Sequence, residues 1–492
     1  MKSPQLLETL KRLGVTDAHF EAGLHPIVRR GGKLSFMENI GPLNRRQIAD
    51  LVSGFMTTAQ RKAFAQSRSI SFSTETSPKF QISFSRMGAR EFARIKDLSE
   101  AAPHPSLQKP PTKRHWVRLT RVCNDRCVFC LDKEAQNGTN VPFEAIMENL
   151  DRGRKKGLTR VVLSGGEPTI HPRYVDIVRE TKRKGYTHIQ TVTNGRRLCY
   201  EPFMKAAVEA GLNEITFSLH GPNPAIHDRQ SGSPGSFAQG VVALRRALKV
   251  PGLIVSVDIV ISRINIRHLR ETMEFFINEG VREFDLLQVI PFGSAWRNRG
   301  DLFYDVEAEL PHLHRALDLS KRGDIVLWTN RLPTRYLEGY EDLIQPPSKL
   351  HDEYAGRGEM FEEFLRSGKK PDCWGRCAHC FLEKPCADIA GLNAKKSLDA
   401  YPTPPCLADH AETILNRDSQ ASSITALEHR DNLSMKDFVD FFILNRYFIK
   451  GKACRNCRFD SECAGAHVEH VRRYGFPKPE ASMLVTKVSP TA

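Results

Sequence analysis

The densest chemistry in this 492-residue sequence lies in RVCNDRCVFC, where Cys123, Cys127 and Cys130 fall within eight residues. Three thiolates on so short a loop can each grip one iron of a cubane iron-sulfur cluster and leave the fourth iron open. Zinc wants a fourth protein ligand close by and a dithiol redox motif needs only two cysteines, so both fit this spacing less well. Eight of the remaining nine cysteines lie between 373 and 463, as Cys373-x3-Cys377-x2-Cys380-x5-Cys386, then Cys406, then Cys454-x2-Cys457-x5-Cys463. Eight thiolates suffice for two four-cysteine clusters. Which cysteines share a cluster is open at this level, and a zinc site built from 373–386 is the alternative. Cys199 stands alone and reads as structural.

Downstream of the triad, polar motifs recur at the ends of strand-like runs. SGGEP (Ser164 to Pro168) offers two glycines, Gly165 and Gly166, that let backbone turn closely against a ligand, and carbonyls that can accept hydrogen bonds from an ammonium group. TNG (Thr193 to Gly195) and SLHGP (Ser218 to Pro222) follow later strands, at the C-terminal rim where barrel enzymes place active-site groups.

These motifs need a framework of strands. Runs at Trp116 to Thr120, Thr159 to Ser164, His188 to Thr193, Glu214 to Leu219, Ile254 to Ile261 and Glu283 to Val289 read as six strands. Amphipathic segments such as Tyr174 to Arg183 and Phe237 to Leu248 alternate with them and can cover one face of a parallel sheet. The expected fold is α/β: a partial (β/α)6 TIM-like barrel over 115–330. It is preceded by a small N-terminal α/β domain (1–98), with helices over Gln5 to Leu13 and Asn44 to Thr57 and strands at Ile70 to Ser73 and Phe80 to Phe84. A Pro-rich linker (99–114) separates the two. A Cys-rich extension (331–492) follows, with one clear helix, Met435 to Tyr447. Its apolar periodicity is too weak to hold it together, and bound metal would supply the missing stability.

Length and composition bound the rest. One hydrophobic core stops growing at roughly 250–300 residues, so two or three domains are expected. With 40% hydrophobic and 26% charged residues the chain reads as globular. Its longest apolar stretch, Leu253 to Ile261, is too short to cross a bilayer, and the first residues lack the apolar core of a secretion signal. A cytoplasmic protein is expected, and there twelve cysteines argue for metal rather than disulfides. The net charge of +15 would draw the chain toward polyanions. Its basic residues are spread along helix faces without interleaved aromatics, as on a solvated surface.

The C-x3-C-x2-C spacing with Phe129 before the last cysteine, together with SGGEP, resembles the radical S-adenosylmethionine (radical SAM) superfamily over about 115–295. The resemblance implies a [4Fe-4S] cluster on Cys123, Cys127 and Cys130 whose open iron chelates S-adenosylmethionine. An electron from a reductant such as a flavodoxin or ferredoxin would then split the sulfonium to a 5′-deoxyadenosyl radical that abstracts a substrate hydrogen. It places Gly165, Gly166, Glu167 and Pro168 at the cofactor's amino group, Thr193 and Asn194 near its sugar, Ser218 and His220 facing it, and Val260 against its adenine. Arg229, directly after His227-Asp228, departs from the spacing of relatives in which an arginine binds the carboxylate. The Cys454 group resembles the SPASM extension, implying one or two auxiliary iron-sulfur clusters and a peptide or protein substrate; where that motif has its fourth cysteine, this chain has His467. Residues 5–90, with Asp17 to Phe20, Pro26 to Arg29, Gly32 to Leu34 and Phe80 to Phe84 in order, resemble the small domain preceding the motor of PilT-like ATPases. No nucleotide-binding P-loop follows, so that part reads as a docking module. RNA modification, favoured by charge but lacking an RNA-binding module, and a non-catalytic metal-binding scaffold are the alternatives.

Overall fold

A computed structural model describes residues 3–23, 25–30, 33–37, 40–67, 69–74, 80–87, 90–97, 114–322, 324–355, 358–371, 373, 375–402, 404–410, 423–425 and 433–477. The Pro-rich linker expected at 99–114 falls outside these residues apart from Arg114. The chain divides into two units, one of residues 1–108, 267–284 and 311–327, the other of 109–266, 285–310 and 328–492.

In the first unit, α1 (Ser3–Arg12), β1 (Val15–Glu21), β2 (Ile27–Arg30), β3 (Lys33–Phe36), α2 (Arg45–Ser53), α3 (Thr58–Ser67), β4 (Ser69–Ser73), β5 (Phe80–Met87) and β6 (Arg90–Asp97) build a six-stranded sheet of order β3-β2-β1-β6-β5-β4. Its strand pairs β1–β2, β1–β6, β2–β3, β4–β5 and β5–β6 are antiparallel. Phe80, Ile82 and Phe84 alternate into the core and meet Leu6 and Leu10 of α1 and Ile48, Leu51 and Val52 of α2. Period two on the strands and spacings of three and four on the helices point one face of each inward. The sequence shows two of these strands plainly. β2 (IVRR) and β6 (REFARIKD) are rich in Arg and Lys, which dilutes their strand signal.

The second unit carries the chemistry. In order come β7 (Arg114–Arg118), α4 (Phe143–Lys155), β8 (Arg160–Ser164), α5 (Tyr174–Arg183), β9 (His188–Thr193), α6 (Glu201–Ala210), β10 (Glu214–Ser218), α7 (Pro224–Ser231), α8 (Ser236–Ala247) and β11 (Ile254–Ile261). There follow β12 (Glu283–Gln288) and β13 (Val326–Asn330), most of whose residues belong to this unit. Strands β7 to β13 neighbour one another in chain order in one sheet, and β7 to β11 pair in parallel. The result is the expected partial barrel with a seventh strand added. Strand β13, VLWTN, follows the helix Leu310–Leu317 and is not among the six strands read from the sequence. Buried polar residues line part of the sheet: Gln190 Nε2 donates to Thr216 Oγ1 at 2.8 Å, Thr216 and Ser256 share a 2.9 Å hydroxyl bond, and Arg160 and His188 both pair with Glu214.

The cysteine-rich region folds around helices Lys349–Ala355, Gly358–Ser367, Glu383–Asn393, Met435–Asn445 and Val468–Tyr474. Contrary to the expectation that it lacks a core, Tyr354, Phe361, Phe364, Leu382, Ile389 and Phe438 are buried together. Arg446 clamps Asp388 with bonds of 2.6 and 2.9 Å, tying two of the helices. Among the described residues no helix is long and apolar enough to cross a membrane.

Candidate metal and cofactor site

The triad loop leaves the C-terminal end of β7 and is fixed from several sides through its own backbone. Arg126 N and Val128 N donate to the carbonyls of Ser231 and Gln230 at the end of α7, both at 2.9 Å, while Ser294 N donates to Cys130 O at 2.8 Å and Asn298 Nδ2 to Val128 O at 2.9 Å. Two glycines make these approaches possible. A Cβ on Gly232 would lie 2.4 Å from Arg126 O, and one on Gly293 would lie 2.3 Å from Cys130 O. Burial pushes the Cys123 thiol up to about 12, and raises Cys127 and Cys130 as well. Such thiols ionise only when a cation compensates the thiolate.

SGGEP comes off the neighbouring strand β8 and touches the same loop. Gly165 and Gly166 have φ of +91° and +52°, and a Cβ on Gly166 would meet the Val122 carbonyl oxygen at 2.0 Å. Glu167 N donates to that oxygen at 2.9 Å, so the glycine pair is pressed against the residue preceding Cys123. The Glu167 side chain differs from its expected place at the cofactor. It is 1% exposed; its Oε1 accepts from Thr169 N (3.0 Å), Thr169 Oγ1 (2.5 Å) and Thr193 Oγ1 (2.7 Å), and its Oε2 from Asn194 N (2.8 Å). Burial raises its pKa against these donors. The carboxylate therefore braces the end of β8 against the end of β9, and Pro168 opens the short turn Pro168–Ile170 that this brace caps.

Thr193 and Asn194 belong to the same brace. Thr193 Oγ1 also accepts from Gly195 N (3.0 Å), and Asn194 Nδ2 donates to Asn124 Oδ1 (2.8 Å), inside the cysteine loop. Ser218 sits half-buried at the end of β10, in register with Asp258. His220 is 3% exposed. Its Nδ1 accepts from Val260 N at 3.2 Å, its ring meets Phe129 edge-on at 4.7 Å, and its backbone N donates to His227 Nδ1 at 3.0 Å. Burial, and then His227, hold its pKa well below the usual value, so the ring is neutral with its proton on Nε2. Val260 packs in one apolar cluster with Phe129. Arg229 is exposed on α7.

Several residues that motif reading passes over complete the frame. Asp125 Oδ1 accepts from Arg196 Nη1 at 2.8 Å and its Oδ2 from Ser236 Oγ at 3.2 Å. Ser236 in turn meets His227 Nε2 at 3.3 Å. Gln230 Nε2 and Asn265 Nδ2 each donate to His220 O at 2.8 Å. The signal for them was a charged residue inside the cysteine spacing and an arginine directly after TNG.

The C-terminal cysteines fall into two sets. Burial, and then the thiols of Cys380, Cys373 and Cys377, push Cys386 up to about 12. Burial, and then Cys463, Cys454 and Cys457, push Cys406 up to about 11. Cys406, Cys454, Cys457 and Cys463 line one pocket with Lys450 and Asp460. In each C-x2-C step the second amide donates to the first carbonyl: Cys130 to Cys127 (3.2 Å), Cys380 to Cys377 (2.9 Å) and Cys457 to Cys454 (2.9 Å). His467 stands apart from that pocket. Its Nε2 bonds to Ile443 O at 2.8 Å, and its Nδ1 accepts from Glu469 N at 3.3 Å as cap of the last helix. Cys199 lies apart from both sets, beyond β9.

Among the described residues no three His, Cys, Asp or Glu side chains converge as ligands of a single ion. Thiolates that each bind a different iron of a cubane need not converge on one point. Soft sulfur donors in clusters of three and four are the donor set of iron-sulfur centres, and the residues present fit that group. The first C-terminal loop also packs on the segment that holds the triad loop: the Arg376 guanidinium lies 5.5 Å from the Trp296 ring centre, and the His379 ring meets Phe303 at a tilt, 4.5 Å between centres.

Residues 117–276 match the Radical SAM superfamily. The chain is 31% identical over 191 residues to a protein of Saccharolobus solfataricus named probable GTP 3′,8-cyclase, a match covering 38% of this chain and 61% of that protein. It is 31% identical over 202 residues to PqqA peptide cyclase of Ruegeria pomeroyi, covering 40% of this chain and 53% of that protein. These matches thus span between about half and three-fifths of the curated relatives' length. Among solved structures, SuiB of Streptococcus suis bound to S-adenosylmethionine aligns at 12% identity and a TM-score of 0.38, over 76% of this chain and 78% of that one. The matched span carries both the cysteine triad and SGGEP on successive parallel strands, and over residues 117–276 this chain is similar to the Radical SAM superfamily.

Proposed function

We propose that this chain is an enzyme that reductively cleaves S-adenosylmethionine at a [4Fe-4S] cluster on Cys123, Cys127 and Cys130 and acts on a peptide or protein. The observation that carries the reading is the clamped triad loop with SGGEP pressed, through Gly166 and Glu167 N, against Val122, the residue before its first cysteine. When bound, the cluster and S-adenosylmethionine supply a 5′-deoxyadenosyl radical for hydrogen abstraction.

The protein's part is placement. The three half-buried thiols give up their protons on loading, which makes assembly favour higher pH. Gly165 and Gly166 let strand-end backbone approach the cofactor, whose ammonium their carbonyls can accept. Glu167, Thr193 and Asn194 hold that backbone rigid from behind. His220 presents a neutral ring of fixed tautomer beside Phe129. Two closed four-cysteine sets, Cys373/Cys377/Cys380/Cys386 and Cys406/Cys454/Cys457/Cys463, would hold auxiliary clusters with no open iron, suited to carrying electrons. A peptide substrate is supported by their resemblance to the SPASM extension and by the relative named PqqA peptide cyclase. The N-terminal sheet would serve docking, and a flavodoxin or ferredoxin would supply the electron.

The test is anaerobic reconstitution with iron and sulfide, then dithionite and S-adenosylmethionine, with 5′-deoxyadenosine as the readout. An iron-loaded chain that forms none refutes the reading. The net charge of +15 favours RNA as a second substrate class; steeply salt-dependent RNA binding would support it.

A further inference from the structure

The carboxylate of Asp125 lies inside the Cys123-x3-Cys127 spacing, and its side chain is 2% exposed. A bare anion there would oppose a cluster that must accept an electron. The anion is matched by one cation, Arg196, whose side chain is 21% exposed and whose Nη1 lies 2.8 Å from Asp125 Oδ1. Arg196 is locked in turn: Nη1 also donates to Asn124 O, Nε donates to Gln239 Oε1 at 2.7 Å, and its backbone N to Asn194 Oδ1 at 3.1 Å. Water and salt screen a buried pair weakly. A second ion pair at the loop, Arg118 with Asp132, is more exposed, at 36% and 28%. Glu167, also near Cys123, is held by neutral donors only.

We propose that the Asp125–Arg196 pair is a positioning and charge-compensating element that sets the reduction potential of the triad cluster. This rests on the radical SAM reading of the triad. Reduction potentials of iron-sulfur centres follow local net charge, hydrogen bonding and exposure, and partners outside the ligand shell tune a metal as strongly as they orient it. Removing the cation leaves the Asp125 anion to repel the incoming electron. Removing the anion leaves the Arg196 cation to attract it. The two changes therefore move the potential in opposite directions, whereas loss of loop geometry alone moves both the same way.

The experiment uses the full chain, reconstituted anaerobically, as wild type, Arg196→Gln, Asp125→Asn, Arg196→Lys and the double variant Asp125→Asn/Arg196→Gln. Potentiometric titration is followed by EPR on the signal that changes when S-adenosylmethionine is added, which separates the triad from the C-terminal sets. Arg196→Gln is expected to shift the one-electron equilibrium against reduction by about tenfold, or ~59 mV. Asp125→Asn is expected to shift it the other way by a similar factor, with Arg196→Lys and the double variant close to wild type. Single variants that shift in the same direction, or not at all, overturn the proposal. If a single variant loses its iron, the double variant decides: recovered iron at the wild-type potential supports charge compensation, and iron still lost overturns it. A wild type that binds no iron at the triad refutes the proposed function instead, so the two failures are distinguishable.

Discussion

Replacing Glu167 by Gln separates a brace from a cofactor ligand. The amide keeps one acceptor oxygen in place of two and turns an N–H donor toward one of the groups that now donate. With the carbonyl at the Oε1 position, Thr169 and Thr193 keep an acceptor, but the Asn194 amide faces an NH2 group. A buried donor left without a partner costs about 1–3 kcal/mol, and hydrogen bonds to a charged acceptor are worth roughly 1 kcal/mol more apiece than neutral ones. Relief of the buried charge offsets part of this. The net expectation is a local destabilisation of about 3 kcal/mol where the ends of β8 and β9 meet. A chain of several cores does not unfold in two states, so the assay is amide hydrogen exchange, read separately over 164–170 and 193–196. Exchange there should speed up by about two powers of ten, with S-adenosylmethionine affinity falling less. Unchanged exchange with S-adenosylmethionine binding abolished would refute the argument, because the carboxylate would then be acting on the cofactor itself.

Gly166→Ala places a Cβ 2.0 Å from the Val122 carbonyl oxygen, so it should displace the residue before Cys123 and cut triad iron loading. Gly235→Ala, also at positive φ but with open space around it, should cost only about 1 kcal/mol of strain, read as amide hydrogen exchange over α8, and keep its iron. His227 is buried neutral, its pKa lowered by burial to about 4. Its contribution is fully present above an unfolded value near 6.5 and is lost as pH falls toward 4, about 3 kcal/mol in all. His227→Gln should make the decline of melting temperature between pH 7 and pH 4 shallower. Cys386→Ser should remove about four irons per chain, and Cys406→Ser a separate set of about four; identical losses from the single and the double variant would refute the assignment of two sets.

What could be read from the sequence was local. The triad and SGGEP each lie within one loop, so spacing alone points to their chemistry, and β-branched runs such as Ile254 to Ile261 mark the parallel strands. What escaped was set by distance along the chain. Asp125 and Arg196 meet only because β7 and β9 end on one rim, and Cys406 joins Cys454, Cys457 and Cys463 only in the fold. Glu167 was assigned by its motif to the cofactor, but a motif cannot say which way a carboxylate turns. Here the carboxylate accepts from four internal donors. The core of the C-terminal region was hidden because its apolar residues are scattered over short helices that have no common period.

The two C-terminal cysteine sets differ in how much chain must exist before each can close. Cys373 to Cys386 is a short ring, whereas Cys406 to Cys463 encloses about four times as many residues. Two doublings of loop length add about 1.2 kcal/mol to the entropy of closure. During synthesis the first set has all its sulfurs soon after the barrel emerges, while the second waits for nearly the whole chain. Loading of the two sets would therefore have a built-in order, and a nascent chain halted between 406 and 454 would hold the first set complete and only Cys406 of the second.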